Sequence, residues 1–304
     1  MKVVLFGAGE RGQKVFESGC YEVAAVIDND SRKQGRSFCG KPIISLETYK
    51  REYCDCHVLI SNVRARETEE QLIANNIMNF SIPPEVYKVS DVPTDERIAH
   101  GNWIDYLVEL CDKPGMRVLE VGSREVSGDL FRDKFHHAAY VGFDYYPGAN
   151  VDVVGDAHQL SSYFDEQFDL IFSSAVFEHF ALPWMAAIEI VKLLKKDGYV
   201  FIETHYSYKS HERPWHFFQF SENALDVLFP QKFGMRCVRK GCSSPIEGRF
   251  SKDAAAYLQG RLVAGLYCHS EYLGQKVEDV EETELDWSKI SLEDVRKGTE
   301  YPKE

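Results

Sequence analysis

The stretch RVLEVGSREVSGDL, from Arg117 to Leu130, constrains this chain more than any other. Val118 to Val121 is a short apolar run with β-branched residues, which suits a buried parallel strand; at Gly122 it turns into a polar segment punctuated by glycine. A helix is predicted from Gly128. Strand, tight turn and helix start together bring backbone N–H groups close to a nucleotide-like ligand. Glu120 narrows the choice of ligand, because a carboxylate gains nothing beside a pyrophosphate but attracts a cationic group.

A second turn of this kind lies at the N-terminus. Lys2 to Phe6 reads as an apolar strand, and Gly7, Gly9 and Gly12 follow it as GAGERG, opening a helix over Arg11 to Ser18. The next strand pattern, Tyr21 to Ile27, ends at Asp28, about 20 residues on, where an acidic side chain binds ribose hydroxyls in dinucleotide folds. Strands at His57–Ser61 and Met78–Ile82 flank a helix at Arg64–Asn75, and Pro83 and Pro84 close the unit. Two readings stand level: a nucleotide or nucleotide-sugar site at Gly7, Gly9, Gly12 and Asp28, or glycines that serve only the turn and helix packing. NAD-dependent chemistry ranks below both, since no substrate domain with a hydride-transfer residue follows.

Downstream of Gly122 the same logic repeats along the chain. Ala139–Phe143 is a strand pattern ending at Asp144 and Tyr145, and Val151–Val154 is followed by Gly155, Asp156, Ala157 and His158. Phe168–Ser173 leads into Ser174, Ala175, Val176, Phe177, Glu178 and His179. A helix predicted over Trp184–Lys195 ends in Lys196-Asp197-Gly198, with Gly198 expected at positive φ, before the strand Tyr199–Glu203. These ordered motifs resemble those of class I S-adenosylmethionine-dependent methyltransferases over residues 101–270. The resemblance implies an α/β fold with a seven-stranded domain, S-adenosylmethionine as cofactor, and contacts from Glu120, Gly122, Ser123, Gly128, Asp144, Tyr145, Asp156, Ala157 and Ser174. Asp144 would accept from both ribose hydroxyls. Asp156 would accept from the adenine amino group beside an Ala157 N–H. On their own residues, Asp144 also reads as a turn former and Asp156 as the cap of a helix near His158.

In place of alternating glycines this loop has Ser123, Arg124, Glu125, Val126 and Ser127. EVGSREVSGDL is similar to an EVGSRxxNG-type subgroup, many of whose members lie near glycan genes. The first 85 residues resemble small Rossmann-like domains at the front of sugar acyltransferases and polysaccharide-biosynthesis proteins, through the glycine turn, Val26–Asp30 and Gly40–Ile43.

The loop HYSYKSHERPWHFFQFS, His205 to Ser221, holds three of the ten histidines and leaves the carboxyl end of a strand, where open α/β sheets place their active sites. It resembles an HExPxDxxRFT-type segment at His211, Glu212, Pro214, Phe217, Phe220 and Ser221, with His216 and Gln219 departing from that pattern. Methyl transfer from a sulfonium is an in-line displacement governed by positioning, and a hydroxyl acceptor must also lose its proton. Histidine does this at neutral pH. His205 is therefore the first candidate for general base, His211 the second and His179 the third. Trp215, Phe217 and Phe218 offer faces for stacking, although the phenylalanines equally suit packing of the helix Glu222–Phe229. Some relatives hold a divalent metal through an ExxEH pattern here; Ala175 stands where the first glutamate would, so a full metal site is not expected, although His205 or His211 could supply a missing ligand.

The predicted organisation is a small Rossmann-like domain over 1–84, a linker over 85–100, the methyltransferase domain over 101–270, and an acidic tail over 271–304 that docks through Trp287. Phe233–Val238 and Leu262–Tyr267 are its predicted sixth and seventh strands, with Ser243–Gly260 as an insertion that lids the acceptor pocket. At 44% hydrophobic residues a sizeable core is possible. No run is long enough to span a membrane, and the chain opens directly on a strand, so neither a signal peptide nor a membrane is expected and the location is read as cytoplasmic. Eight scattered cysteines suggest neither a disulfide framework nor a zinc site. The formal charge of -13 argues against nucleic acid as a partner. The favoured partner is a small polar acceptor, a hydroxyl of a sugar or nucleotide-sugar, and an oligomer is compatible with the sequence. The rival reading is a nucleotide-binding scaffold without catalysis.

Overall fold

The computed structural model describes residues 2–88, 92–126, 128 and 130–295. Ser127 of the glycine loop, three residues of the predicted linker and the end of the tail lie outside them. The chain divides into two compact units, one of residues 1–90 with 245–266, the other of 91–244 with 267–304.

In the first unit, β1 (Lys2–Phe6), α1 (Glu10–Glu17), β2 (Glu22–Ile27), β3 (Ser37–Phe38), β4 (Lys41–Ile44), α2 (Leu46–Glu52), β5 (His57–Ile60), α3 (Ala65–Ala74) and β6 (Phe80–Ser81) build one sheet in the order β3-β4-β2-β1-β5-β6. All its pairings are parallel except the short β3–β4 edge. Val3, Val4 and Leu5 are buried without interruption, as a strand covered on both faces requires. Gly7 sits at φ +128°, and a Cβ on Gly12 would lie 2.3 Å from the Gly7 carbonyl oxygen, so these two glycines are needed to bring α1 onto the sheet. Gly9 meets nothing within 4 Å.

The second unit runs α4 (Trp103–Cys111), β7 (Arg117–Val121), β8 (Ala139–Asp144), β9 (Val153–Val154), β10 (Phe168–Ser174), α5 (Pro183–Leu193), β11 (Leu194–His205), α6 (Glu222–Leu228) and β12 (Met235–Pro245). The paired strands β13 (Gly248–Arg249) and β14 (Leu262–Val263) fall in the first unit, and β15 (Tyr267–Lys276) returns to the second. The seven strands are ordered β12-β15-β11-β10-β7-β8-β9, with β15 antiparallel to β11. This is the mixed α/β sheet of class I methyltransferases, beside a smaller parallel sheet in the other unit. Alternate residues point to opposite faces: Val118, Leu170, Phe172 and Phe201 pack under Trp103 and Leu107, while Leu119, Ile171, Val200 and Ile202 pack against α5 and α6 residues. Phe172 is fully buried among aromatic rings, and its truncation to alanine costs about 3–5 kcal/mol.

Four expectations need correction. The helix predicted from Gly128 is replaced by a 3-10 turn at Phe131–Lys134. α5 ends at Leu193, and positive φ falls on Asp197 at 65° rather than on Gly198. Gly198 is small for another reason: a Cβ there would sit 2.9 Å from the Lys195 carbonyl and 3.0 Å from that of Asp169. The seventh strand is Tyr267–Lys276, not Leu262–Tyr267, because Leu262 is buried in the core of the first unit. The segment predicted as a lid goes with it: Arg249 pairs with Glu69 at 2.7 Å, and Gly260 packs on Arg66. The acidic tail docks as expected, with Trp287 edge-on to Phe233 and its indole N–H bonded to the Trp184 carbonyl at 2.7 Å. No helix among the described residues is long and apolar enough to cross a membrane.

Candidate active site

The carboxyl ends of β7, β8, β10 and β11 bring together most of the residues singled out in the sequence. Gly122 lies at φ +90°, and a Cβ on it would meet Val176 Cγ2 at 2.1 Å, so glycine alone lets the β7 turn pass the segment that follows β10. Its N–H and that of Ser123 bond to the Phe143 carbonyl at 2.8 and 3.0 Å, tying the loop to β8. Gly128 has φ +92° and open space around it.

Beneath this loop is a polar network. Glu120 is buried, and its Oε2 accepts from the Tyr140 hydroxyl and, at 2.9 Å, from Asn150 Nδ2. Burial pushes the Glu120 carboxyl up to about 7, against the pull of the Tyr140 and Asn150 hydrogen bonds. Ser123 donates its hydroxyl to the Asn150 carbonyl at 3.0 Å. Glu120 and Ser123 thus hold the loop, and neither the Ser123 N–H nor its hydroxyl hydrogen is left for a ligand. Asp144, at the end of β8, accepts from the backbone N–H groups of Arg124 at 3.1 Å and Tyr146 at 2.9 Å, with Arg124 Nε at 3.8 Å. That Nε is buried and has no hydrogen-bond partner. Tyr145 stands exposed with its ring 5.0 Å from that of Tyr146.

Asp156 caps the 3-10 turn that contains buried Ala157: its Oδ1 accepts from the His158 N–H at 2.9 Å and faces His158 Nδ1 at 2.7 Å. Burial opposes the Asp156 charge, but His158 outweighs it and holds the carboxyl below its ordinary value. Ser174, at the end of β10, donates to Glu203 Oε1 at 3.0 Å.

The three histidines named as candidate bases lie in one cluster. His205, the last residue of β11, is 7% exposed, stacks on Tyr208 and has its Nδ1 2.6 Å from Glu178 Oε1. His211 stands perpendicular to both His205 and His179, with ring centres 5.2 and 4.9 Å away. His216 lies 4.6 Å from His211. Glu178 is fully buried. Burial works against its charge, and the His205 ring and Thr204 hydroxyl outweigh it, holding the carboxyl below its ordinary value. The His179 N–H bonds to the Val176 carbonyl, and Val176 packs on Gly122, so one short segment joins the glycine loop to the cluster.

Sequence reasoning missed a second polar group beside this one. On β11 and β15 the register sets Glu203 opposite Glu271 and His205 opposite His269. His100, which had been placed in the linker, bonds Glu203 Oε2 at 3.0 Å and stacks on His269 at 3.9 Å. Burial, and then the nearby Glu203 charge, push the Glu271 carboxyl up to about 8 despite the Ser243 hydroxyl. Burial lowers His269 to about 4. The available signal was His269 and Glu271 alternating on a strand that otherwise reads as core. Elsewhere in the second unit a cleft of about 920 Å³ opens between α6 and β12, lined by Asn223, Arg236 and Glu293; no predicted site residue borders it.

In the first unit the fingerprint residues are engaged by the fold. Asp28 accepts from the Ala8 N–H at 3.0 Å and the Asp30 N–H at 2.9 Å and pairs with Lys33 at 3.0 Å.

Residues 96–238 match the methyltransferase-domain family, and residues 1–82 match the family described as C2185-like, N-terminal. No curated protein matches. Solved structures similar in fold include the YcgJ protein of Bacillus subtilis, 16% identical, covering 60% of this chain and 100% of its own, with a TM-score of 0.41. Another is an S-adenosylmethionine-dependent methyltransferase from Archaeoglobus fulgidus, 16% identical over 53% of this chain and 87% of its own, at 0.40. A third is magnesium protoporphyrin IX methyltransferase from Synechocystis with bound S-adenosylmethionine, 14% identical over 62% and 85%, at 0.38. With the methyltransferase domain spanning the β7 loop, the ends of β8 and β10 and the histidine loop, the chain is an enzyme, an S-adenosylmethionine-dependent methyltransferase.

Proposed function

We propose that this methyltransferase O-methylates a small polar acceptor, a hydroxyl of a sugar or nucleotide-sugar, at the histidine cluster. The observation that carries the reading is the buried Glu178–His205 pair at the end of β11, joined through Val176 to the Gly122 loop. Asp144 takes the ribose hydroxyls, exchanging the loop N–H groups it now accepts from, and Asp156 with Ala157 receives the adenine edge. Gly122, Gly128, Tyr145 and Ser174 line the remaining crevice, with Glu120 and Ser123 holding its floor.

In the reaction the acceptor oxygen attacks the methyl carbon in line with the sulfonium. The carbon–sulfur bond breaks, its electron pair stays on sulfur, and the hydroxyl proton passes to His205. Glu178 orients that ring and balances its charge, while His211 and His179 stand next to it. Tyr208, Trp215 and Phe217 are exposed aromatic faces of the kind that stack on sugar rings, and the formal charge of -13 disfavours a polyanion as acceptor. The glycan association also draws on the resemblance of the EVGSR loop. Eight free cysteines fit a cytoplasmic setting.

The test is turnover of labelled S-adenosylmethionine with a panel of nucleotide-sugars and free sugars. Label transferred to an acceptor hydroxyl, lost in His205→Ala, supports the reading; transfer only to amines or thiols refutes the acceptor class.

A further inference from the structure

Around Glu178 the sequence suggests no complete metal site, because Ala175 replaces one glutamate. The fold supplies donors from other segments. One atom each from Glu178, His205 and His211 lie within 4.8 Å of one another. Glu178 is fully buried and His205 nearly so. Glu178 Oε1 and His205 Nδ1 form a buried ion pair at 2.6 Å, and no other group hydrogen-bonds to either atom. An ion set between them would be ligated by both, in place of that single contact.

The surrounding hydrogen bonds point the same way. His211 Nδ1 lies 3.0 Å from the Lys209 carbonyl, and His179 Nδ1 lies 2.8 Å from that of Trp215. A carbonyl only accepts, so both rings carry hydrogen on Nδ1 and present the Nε2 lone pair; this is how metal-bound histidines are held in place. His179 Nε2 lies 4.0 Å from Glu178 Oε1. The Thr204 hydroxyl, at 2.6 Å, fixes the other Glu178 oxygen. Two imidazoles and a carboxylate with an open position form a zinc-type donor set, and tetrahedral ligands at 2.0–2.2 Å from an ion lie about 3.3–3.6 Å apart, so the Glu178–His205 pair opens by about 1 Å to admit the ion while the third donor draws in.

We propose that Glu178, His205 and His211 bind one divalent transition ion of the zinc class, with His179 beside it and a position open to the acceptor hydroxyl. Only the last clause rests on the proposed function. With the ion bound, His205 would serve as its ligand, and the proton assigned to His205 above would instead pass to water from the acceptor hydroxyl polarised by the ion.

The experiment uses the full chain stripped with EDTA and titrated with zinc chloride alone by calorimetry, then with cobalt chloride alone by visible absorption. The expected result is one ion per chain, with affinity lowered at least about 100-fold in His211→Ala, whose partly exposed ring leaves the fold intact, and in Glu178→Gln, whose fold is checked by melting. Substoichiometric binding by the unmodified chain, or equal affinity in the unmodified chain and His211→Ala, overturns the proposal. S-adenosylhomocysteine titrated into the same samples reports the methyltransferase reading independently: it binds whether or not the ion does.

Discussion

The two units each carry a glycine turn after their first sheet strand and an acidic residue at the end of the next, and they use them differently. In the first, Asp28 is neutralised by Lys33, and Ser61 and Asn62 at the end of β5 bond back to the Phe6 carbonyl. Asp28, Ser61 and Asn62 all serve the turn there. In the second, Asp144 is held only by loop N–H groups and a distant guanidinium, and the neighbouring strand ends carry Glu178, Glu203 and His205. A Rossmann-like turn is thus compatible with either a structural or a chemical role, and the strand ends beside it decide which.

The largest effect that separates the two turns is steric. Gly122→Ala places a Cβ against the stiff Val176 side chain at positive φ, so it should abolish measurable turnover and cost about 2–4 kcal/mol in denaturant unfolding. Gly9→Ala, with open space around it, should stay within about 1 kcal/mol and keep full activity. Equal damage from both would erase the distinction.

Next comes chemistry. His205→Ala should lower turnover about 10²–10⁴-fold while S-adenosylhomocysteine affinity changes less than about 3-fold. Asp28→Ala should leave both unchanged and cost about 1–3 kcal/mol of stability, because it leaves the Ala8 N–H and the Lys33 ammonium without their partner.

The smallest effect is one of pH. Glu271 binds its proton more tightly folded than unfolded, so its contribution is fully present below about 4.5 and is lost as pH rises through about 8. Glu120 acts in the same direction up to about 7. Between pH 6.5 and 8, above the range in which His269 acts the other way, the unfolding free energy of the second unit should therefore fall by about 1–2 kcal/mol, and Glu271→Gln should flatten that slope, as equilibrium denaturation at several pH values would record.

Much of this was legible in the residues. Apolar runs of four to six residues marked the central strands, because a strand covered on both faces has no polar alternation to hide it. Asp144, Ser174 and His205 followed from standing at strand ends. What stayed hidden depends on distant pairing. Leu262 reads as a strand of either sheet, and only its packing in the core of the first unit assigns it. Glu203, Glu271, His100 and His269 become one group only through the β11–β15 register and a histidine 103 residues away from its glutamate. Ser123 and Glu120 looked available because sequence does not show that Asn150 and Tyr140 engage them.

The central claim, that the β7–β8 crevice of the second unit holds the cofactor, is tested most directly by calorimetric titration with S-adenosylhomocysteine of the unmodified chain, Asp144→Ala and Asp28→Ala. The account predicts one site per chain, weakened at least about 10-fold by Asp144→Ala and untouched by Asp28→Ala. Binding that survives the first change and is lost with the second would contradict it.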